Sequence, residues 1–186
     1  MRTAEVVVIG GGCVGTSTAY HLAAADCTDV VLLEADALGS GSTGKAAGGI
    51  RLQHADALNS LLVRRSLAEF LRFEELTGVP IGFKQVGYLF LLSSAADLDA
   101  FRRAVGVQQG LGIPSELVDV AAVREFVPQL ATDDLVGATF CPSEGYATPE
   151  AVVQRCTHRE RATPISNSTR TSWSSVKPPA LPASGS

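Results

Sequence analysis

The stretch VVVIGGGCVGTSTAYHL, from Val6 to Leu22, constrains this chain more than any other. An apolar run meets three consecutive glycines and then becomes helical in pattern. Glu5–Ile9 is nearly all β-branched, which predicts a buried strand. Val14–Ala25 is rich in small residues and predicts a helix. Asp29–Glu34, DVVLLE, predicts a second strand. Strand, helix and strand within about thirty residues make one β-α-β unit, with parallel strands and a right-handed crossover.

The spacing inside that unit is Gly10-x-Gly12-x-x-Gly15. The spacing alone is common. Its setting is not: a strand precedes it, a helix follows, and an acidic residue, Glu34, ends the next strand. Gly10 permits a tight turn. Gly12 offers backbone to a pyrophosphate, and Gly15 lets the helix pack closely on the strand. With Val14, these residues open a helix whose free N–H groups and positive dipole end suit phosphate. The Glu34 carboxylate suits ribose hydroxyls and disfavours a 2′-phosphate, which argues against NADP. A dinucleotide is the expected ligand. The fingerprint by itself leaves FAD and NAD both open.

Composition narrows the remaining classes. Of 186 residues, 46% are apolar, enough for a core, and 18% are charged, with a net charge of −4. That balance lacks the basic footprint of a nucleic-acid binder. No apolar run is long enough for a membrane span. The N-terminal run breaks into glycines and carries Glu5 where a secretion signal needs basic charge, so a cytoplasmic protein is expected. Cys13, Cys27, Cys141 and Cys156 have neither CxxC nor metal-ligand spacing and are expected to be reduced thiols. His21, His54 and His158 form no triad pattern with a Ser or Cys, so no hydrolase is read here.

Downstream, a Gly/Ser-rich loop, GSGSTGKAAGGIR, spans Gly39–Arg51. A long helix is predicted over Ala55–Leu76, with Leu58, Leu61, Leu62, Leu67, Phe70, Leu71 and Leu76 as its apolar stripe. Gly78 and Pro80 stop it. A strand over Phe83–Leu92, bulged at Gly87, comes next, then a helix over Asp97–Leu111. Glu116–Val118 reads as a strand, Val120–Phe126 as a helix and Asp134–Phe140 as a strand. From Arg155 to Ser186, 15 of 32 residues are Ser, Thr or Pro, and apolar periodicity vanishes. Such a segment buries too little surface to offset its ordering entropy, so a disordered tail is expected.

The loop after the second strand resembles the flavin-contacting loop of the FAD-dependent oxidoreductases of the D-amino-acid oxidase and sarcosine oxidase (DAO) superfamily. The matching residues are Gly41, Ser42, Thr43, Ala47, Gly48, Gly49 and Arg51. VGYLFLL (Val86–Leu92) and DDLVGATFCPSEGYATPEAVVQ (Asp133–Gln154) are similar to the family as well. The resemblance implies an α/β chain: a Rossmann-like FAD-binding β-α-β start joined to part of an inserted α+β substrate domain. Residues 1–80 would belong to the FAD-binding domain, 81–154 to a partial substrate domain, and 155–186 to the disordered or frameshifted tail. The family chain is about twice as long, so a truncated chain is expected, one that folds weakly and is inactive alone.

The resemblance also implies roles. Ser42 and Thr43 would hydrogen-bond the ribityl chain or pyrophosphate. Gly48 and Gly49 would bring backbone against the flat ring, and Arg51 or Lys45 would stabilise negative charge on the reduced flavin. Arg51 is also the candidate clamp for a substrate carboxylate. Tyr88 and Tyr146 are candidate pocket residues. Lys45 stands where some family members carry a flavin-linking histidine, and His54 is out of register, so non-covalent FAD is expected. The implied reaction is oxidation of a C–N bond in an amine or amino acid such as sarcosine, glycine, proline or a D-amino acid. Other readings are a catalytically silent FAD-binding subunit with a second subunit as partner, a non-functional gene product, and an NAD-dependent dehydrogenase.

Overall fold

The computed structural model describes residues 3–27 and 29–157. In chain order the elements are β1 (Val6–Ile9), α1 (Cys13–Ala24), β2 (Val30–Leu33), β3 (Gly49–Ile50), α2 (Ala57–Leu71), α3 (Phe73–Thr77), β4 (Tyr88–Leu92), α4 (Ala95–Gly110), β5 (Glu116–Val118), α5 (Val120–Phe126), β6 (Gly137–Cys141), β7 (Gly145–Tyr146) and α6 (Pro149–Thr157). The described residues form two compact units, one of those up to Ala46 together with 149–157, the other Ala47–Thr148. The partition expected from the sequence, with its boundary at residue 80, concerns which ligand each part serves. Compactness divides the chain at other points.

The first unit holds the expected β-α-β start. β1 and β2 pair in parallel, Val6 opposite Val30 through Ile9 opposite Leu33. Leu32 is buried, but β1 alternates, and Val7 and Ile9 are 50% and 53% exposed. The expected buried strand is therefore covered on one face among the described residues. α6 packs against α1, with Val152, Val153 and Cys156 buried. This corrects the start of the expected tail. The apolar spacing of Val152, Val153 and Cys156 carries the helix through residues 155–157. The rest of the expected disordered tail, 158–186, lies outside the described residues.

The second unit is built on an antiparallel sheet in the order β4-β6-β5. Leu92 pairs with Gly137 and Val118 with Ala138. Val105 of α4 and Val123 of α5 are buried with Ala138 and Leu92. Three of its helices, α2, α4 and α5, start on side-chain caps. Asp56 accepts from the Asn59 N–H (2.9 Å), Ser94 from the Asp97 N–H (3.1 Å) and Asp119 from the Ala122 N–H (2.8 Å).

Two expectations change in this unit. The helix predicted over 55–76 is broken at Arg72 into α2 and α3, and of its seven-residue apolar stripe Leu67 alone is buried. Leu58 is 68% exposed. The strand predicted from Phe83 begins at Tyr88, because Gly87 has φ +77° and the Phe140 ring lies where a Cβ would stand. Among the described residues no helix is long and apolar enough to cross a membrane.

Candidate functional site

The glycine corner of the first unit is a tight, hydrogen-bonded turn. Gly10 has φ +104°, open to glycine and strained for other residues, and its N–H donates to the Leu33 carbonyl at 2.8 Å. A Cβ on Gly15 would stand 1.8 Å from the Gly10 carbonyl oxygen, so α1 reaches this close to β1 only without a side chain there. The backbone at both positions has the geometry of a tight turn and a close helix–strand approach. Gly11 was not singled out by the sequence reading, yet it is buried, and a Cβ would meet Leu38 Cδ2 at 2.4 Å. The signal for it was the unbroken run of three glycines.

Glu34 closes the corner. Its Oε2 accepts from the Gly11 N–H at 2.6 Å and its Oε1 from the Asp36 N–H at 3.1 Å. These backbone donors, Gly11 first, hold its carboxyl below the ordinary range. A carboxylate has about four lone-pair sites, so acceptor capacity remains after these two bonds.

Gly12 is the N-cap of α1 and has no side chain to cap it. Thr43 supplies the cap from the following loop: its Oγ1 accepts from the Cys13 N–H at 3.0 Å. A Cβ on Gly12 would meet that oxygen at 2.9 Å. The loop is thus fastened to the turn, and the Gly39 N–H to Gly11 carbonyl bond (2.9 Å) fastens it again. The Thr16 N–H bonds to the Gly12 carbonyl, while those of Val14 and Gly15 have no acceptor among the described residues. Val14 is 77% exposed at the head of the helix, and Ser42 and Lys45 are exposed on the loop. The result is an open helix N-terminus with unspent donors beside an acidic acceptor, the donor set that a pyrophosphate and a ribose require.

The remaining predicted residues stand in the second unit on β3 and its flanks. Gly48 has φ +76°, and its carbonyl accepts from the Ala147 N–H at 3.0 Å. Gly49 pairs with Tyr146 and Ile50 with Gly145. A Cβ on Gly49 would make ordinary contact with the Tyr88 ring at 3.7 Å. Neither strain nor packing within the unit demands glycine at 49. Arg51 is exposed, its guanidinium carbon 5.3 Å from the Phe90 ring centroid, and the Tyr88 ring lies tilted by 37° with its centroid 5.1 Å from the same ring. Arg51, Tyr88 and Phe90 therefore form one cluster, and Tyr146 is Gly49's partner across the ladder.

The sequence reading missed Glu144, which is fully buried. Its Oε1 accepts from the N–H groups of Leu52 and Gln53, the latter at 2.6 Å, and its Oε2 from Gln53 Nε2 at 2.8 Å. Burial pushes this carboxyl above the ordinary range, against the pull of its donors and of Arg51. Nothing in the order SEGY marks its acid as buried. Among the described residues, no His, Cys, Asp and Glu side chains gather into a metal site.

Known proteins match this arrangement. The family described as FAD dependent oxidoreductase (DAO) matches residues 5–162. The chain is 35% identical over 161 residues to human mitochondrial sarcosine dehydrogenase, covering 86% of this chain and 17% of that protein. It is 34% identical over 141 residues to the mouse mitochondrial pyruvate dehydrogenase phosphatase regulatory subunit, covering 76% of this chain and 16% of that one. The crystal structure of L-proline dehydrogenase from P. horikoshii is similar at a TM-score of 0.76 and 34% identity, covering 83% of this chain and 41% of that chain. The chain thus spans under half the length of each of these relatives. With the glycine corner, the acidic strand end and the fastened loop in place, the chain belongs to the DAO family of FAD-dependent oxidoreductases.

Proposed function

We propose that this chain supplies the N-terminal part of an FAD-dependent oxidoreductase acting on the C–N bond of an amine or amino acid such as sarcosine, glycine, proline or a D-amino acid. The observation that carries the reading is the glycine corner: unspent N–H donors at the head of α1 beside the Glu34 carboxylate, in a chain of this family. Held at that corner, FAD would supply a hydride acceptor for the carbon of that bond.

The chain's own residues have distinct tasks. Gly10, Gly12 and Gly15 shape the turn for phosphate, Val14 flanks it, and Glu34 takes the ribose hydroxyls with its spare lone pairs. Ser42 and Thr43 donate hydroxyl hydrogens to the ribityl chain or pyrophosphate, and Lys45 adds positive charge on the loop. Gly48 and Gly49 are the proposed backbone contacts to the flavin ring; for Gly49, the lack of any internal need for a glycine supports this. Arg51, held on Phe90, offers its guanidinium to a substrate carboxylate or the reduced ring. The assignment of residues 1–80 to the cofactor and 81–154 to the substrate belongs to the same proposal. So does a cytoplasmic setting, which the free thiols of Cys13, Cys27 and Cys141 support.

A second reading, a catalytically silent FAD-binding subunit, is favoured by the likeness to the phosphatase regulatory subunit. The test is to add FAD to the purified chain, remove the excess and record the visible spectrum. A retained band at about 450 nm is expected for bound flavin. Colourless protein that binds NAD instead would overturn the reading. Anaerobic addition of sarcosine, glycine, proline and D-alanine then separates the two readings. Bleaching of the band marks an oxidoreductase; a band that stays unbleached even when the chain is joined to the C-terminal part of a family enzyme marks the silent subunit.

A further inference from the structure

Glu144 takes no part in the function proposed above, yet it is an acid in the least hospitable place for one. Burying a carboxylate away from water is costly unless donors replace the lost solvent. Three donors do so here, and all come from Leu52 and Gln53.

Their position is informative. The segment 48–53 runs antiparallel to 144–147. The Gly48 carbonyl takes the Ala147 N–H, Gly49 pairs with Tyr146 and Ile50 with Gly145. A ladder two residues long is weak by itself. Where the backbone pairing ends, the Glu144 side chain continues it, its carboxylate standing in for a strand's carbonyl groups. Gln53 relays the hold: Nε2 donates to Glu144 and also to the Tyr88 carbonyl at 3.0 Å. The Glu144 main chain is itself fixed, its carbonyl accepting from the Gly87 N–H at 2.9 Å. Gly145 must follow it, because a Cβ there would stand 1.9 Å from the Lys84 carbonyl oxygen. The residues so held flank Arg51 on one side, and the ladder holds Gly48 and Gly49 on the other.

We propose that Glu144 is a positioning residue: its buried carboxylate fixes the backbone of Leu52 and Gln53, and through it the Gly48–Arg51 edge assigned above to the flavin ring. This rests on that assignment. An apolar side chain of similar size would fill the space at less desolvation cost. It could not place three donors, and so could not set where Gly49 and Arg51 present themselves.

The test compares two ligands on the full chain, FAD and ADP. ADP lacks the flavin ring and reports on the Gly10–Glu34 corner alone. Glu144→Gln is nearly isosteric, but its amide opposes the Gln53 amide, donor against donor. The expected result is FAD binding at least tenfold weaker, a shifted visible band for the flavin that binds, faster hydrogen exchange at the Leu52 and Gln53 amides, and unchanged ADP affinity. Equal weakening of both ligands would mean a general loss of structure and would overturn the proposal. Unchanged FAD affinity and spectrum would overturn it also. If Glu144→Gln fails to fold, Gln53→Leu removes the relay and leaves the Glu144 backbone bonds. It should weaken FAD and spare ADP in the same manner, and parity between the ligands there is again the overturning result. Wild-type chain that binds neither ligand would overturn the cofactor reading itself, and this inference with it.

Discussion

Glu34 in the first unit and Glu144 in the second are both carboxylates that accept backbone N–H groups, and their surroundings push them in opposite directions. Glu34 is half-buried, and its donors from Gly11 and Asp36 lower its pKa. Glu144 is fully buried, and desolvation outweighs its donors and raises its pKa. One acid keeps capacity to spare at an open turn. The other spends its capacity on its own chain. The first arrangement suits a ligand, and the second suits a scaffold.

The largest loss is expected at the turn that Glu34 closes. Gly15→Ala puts a methyl group within 1.8 Å of the Gly10 carbonyl oxygen, and backbone cannot yield as a side-chain tip can. The expected loss is about 3 kcal/mol or more of stability, read by urea unfolding, together with loss of ADP binding. A Gly15→Ala chain as stable as wild type would mean that α1 and β1 do not approach as described.

Next in size is Glu144→Ala, which strands the donors of Leu52 and Gln53. Unmet buried donors cost roughly 1–3 kcal/mol each, so a total of about 3 kcal/mol is expected in the same assay. Glu34→Ala should cost clearly less, because water can reach the Gly11 corner and replace the carboxylate. If the two alanine variants proved equally destabilised, the distinction between ligand acceptor and internal scaffold would fail.

Smaller still, and sharper, is the dependence on pH. The native Glu34 holds its proton less tightly than the ordinary Glu at 4.5. Its stabilising contribution is complete above that value and is lost as pH falls through its lowered pKa. The native Glu144 holds its proton more tightly, with Arg51 and Cys141 as the ionisable neighbours that couple to it. Its contribution is greatest below the ordinary value and declines as pH rises through its raised pKa. Unfolding curves from about pH 3 to about pH 7, on both sides of the ordinary Glu value, should therefore change oppositely in the two Gln variants, Glu34→Gln below that value and Glu144→Gln above it. Relative to wild type, Glu144→Gln should lose its deficit as pH rises, and Glu34→Gln should lose its deficit as pH falls. Parallel curves would contradict the opposed environments.

The same two acids show what a sequence discloses. The corner around Glu34 was legible because its parts are near one another in the chain: strand, glycines, helix and acid fall within Val6–Glu34. Glu144 was not legible, because its partners lie 91 and 92 residues away. The β3–β7 pairing was missed for a related reason, since strands of two residues carry no periodicity. The α2 leucines erred the other way. Their spacing correctly announces an apolar helix face, but spacing does not say that neighbours cover it, and Leu58 and Leu62 stay exposed. Gly11 was hidden among glycines whose roles were already assigned, and the positions of the Leu38 and Glu34 side chains reveal its crowding.

The smallest expected effect tests whether Arg51 belongs with the ligand side or the scaffold side of this contrast. Its guanidinium lies 5.3 Å from the Phe90 centroid, an exposed contact worth about 0.5–1 kcal/mol. Arg51→Lys keeps the charge and gives up the flat stacking surface, so a stability loss of about 0.5 kcal/mol is expected. If Arg51 were scaffold, Arg51→Lys and Arg51→Gln would behave alike, both losing the stack and nothing more. If it serves a flavin or a carboxylate, the charge matters more than the stack. FAD affinity and the position of the bound flavin's visible band should then be nearly wild type in Arg51→Lys and altered in Arg51→Gln, at equal stability. A matched response of the two variants in both readouts would place Arg51 with Glu144, as part of the frame.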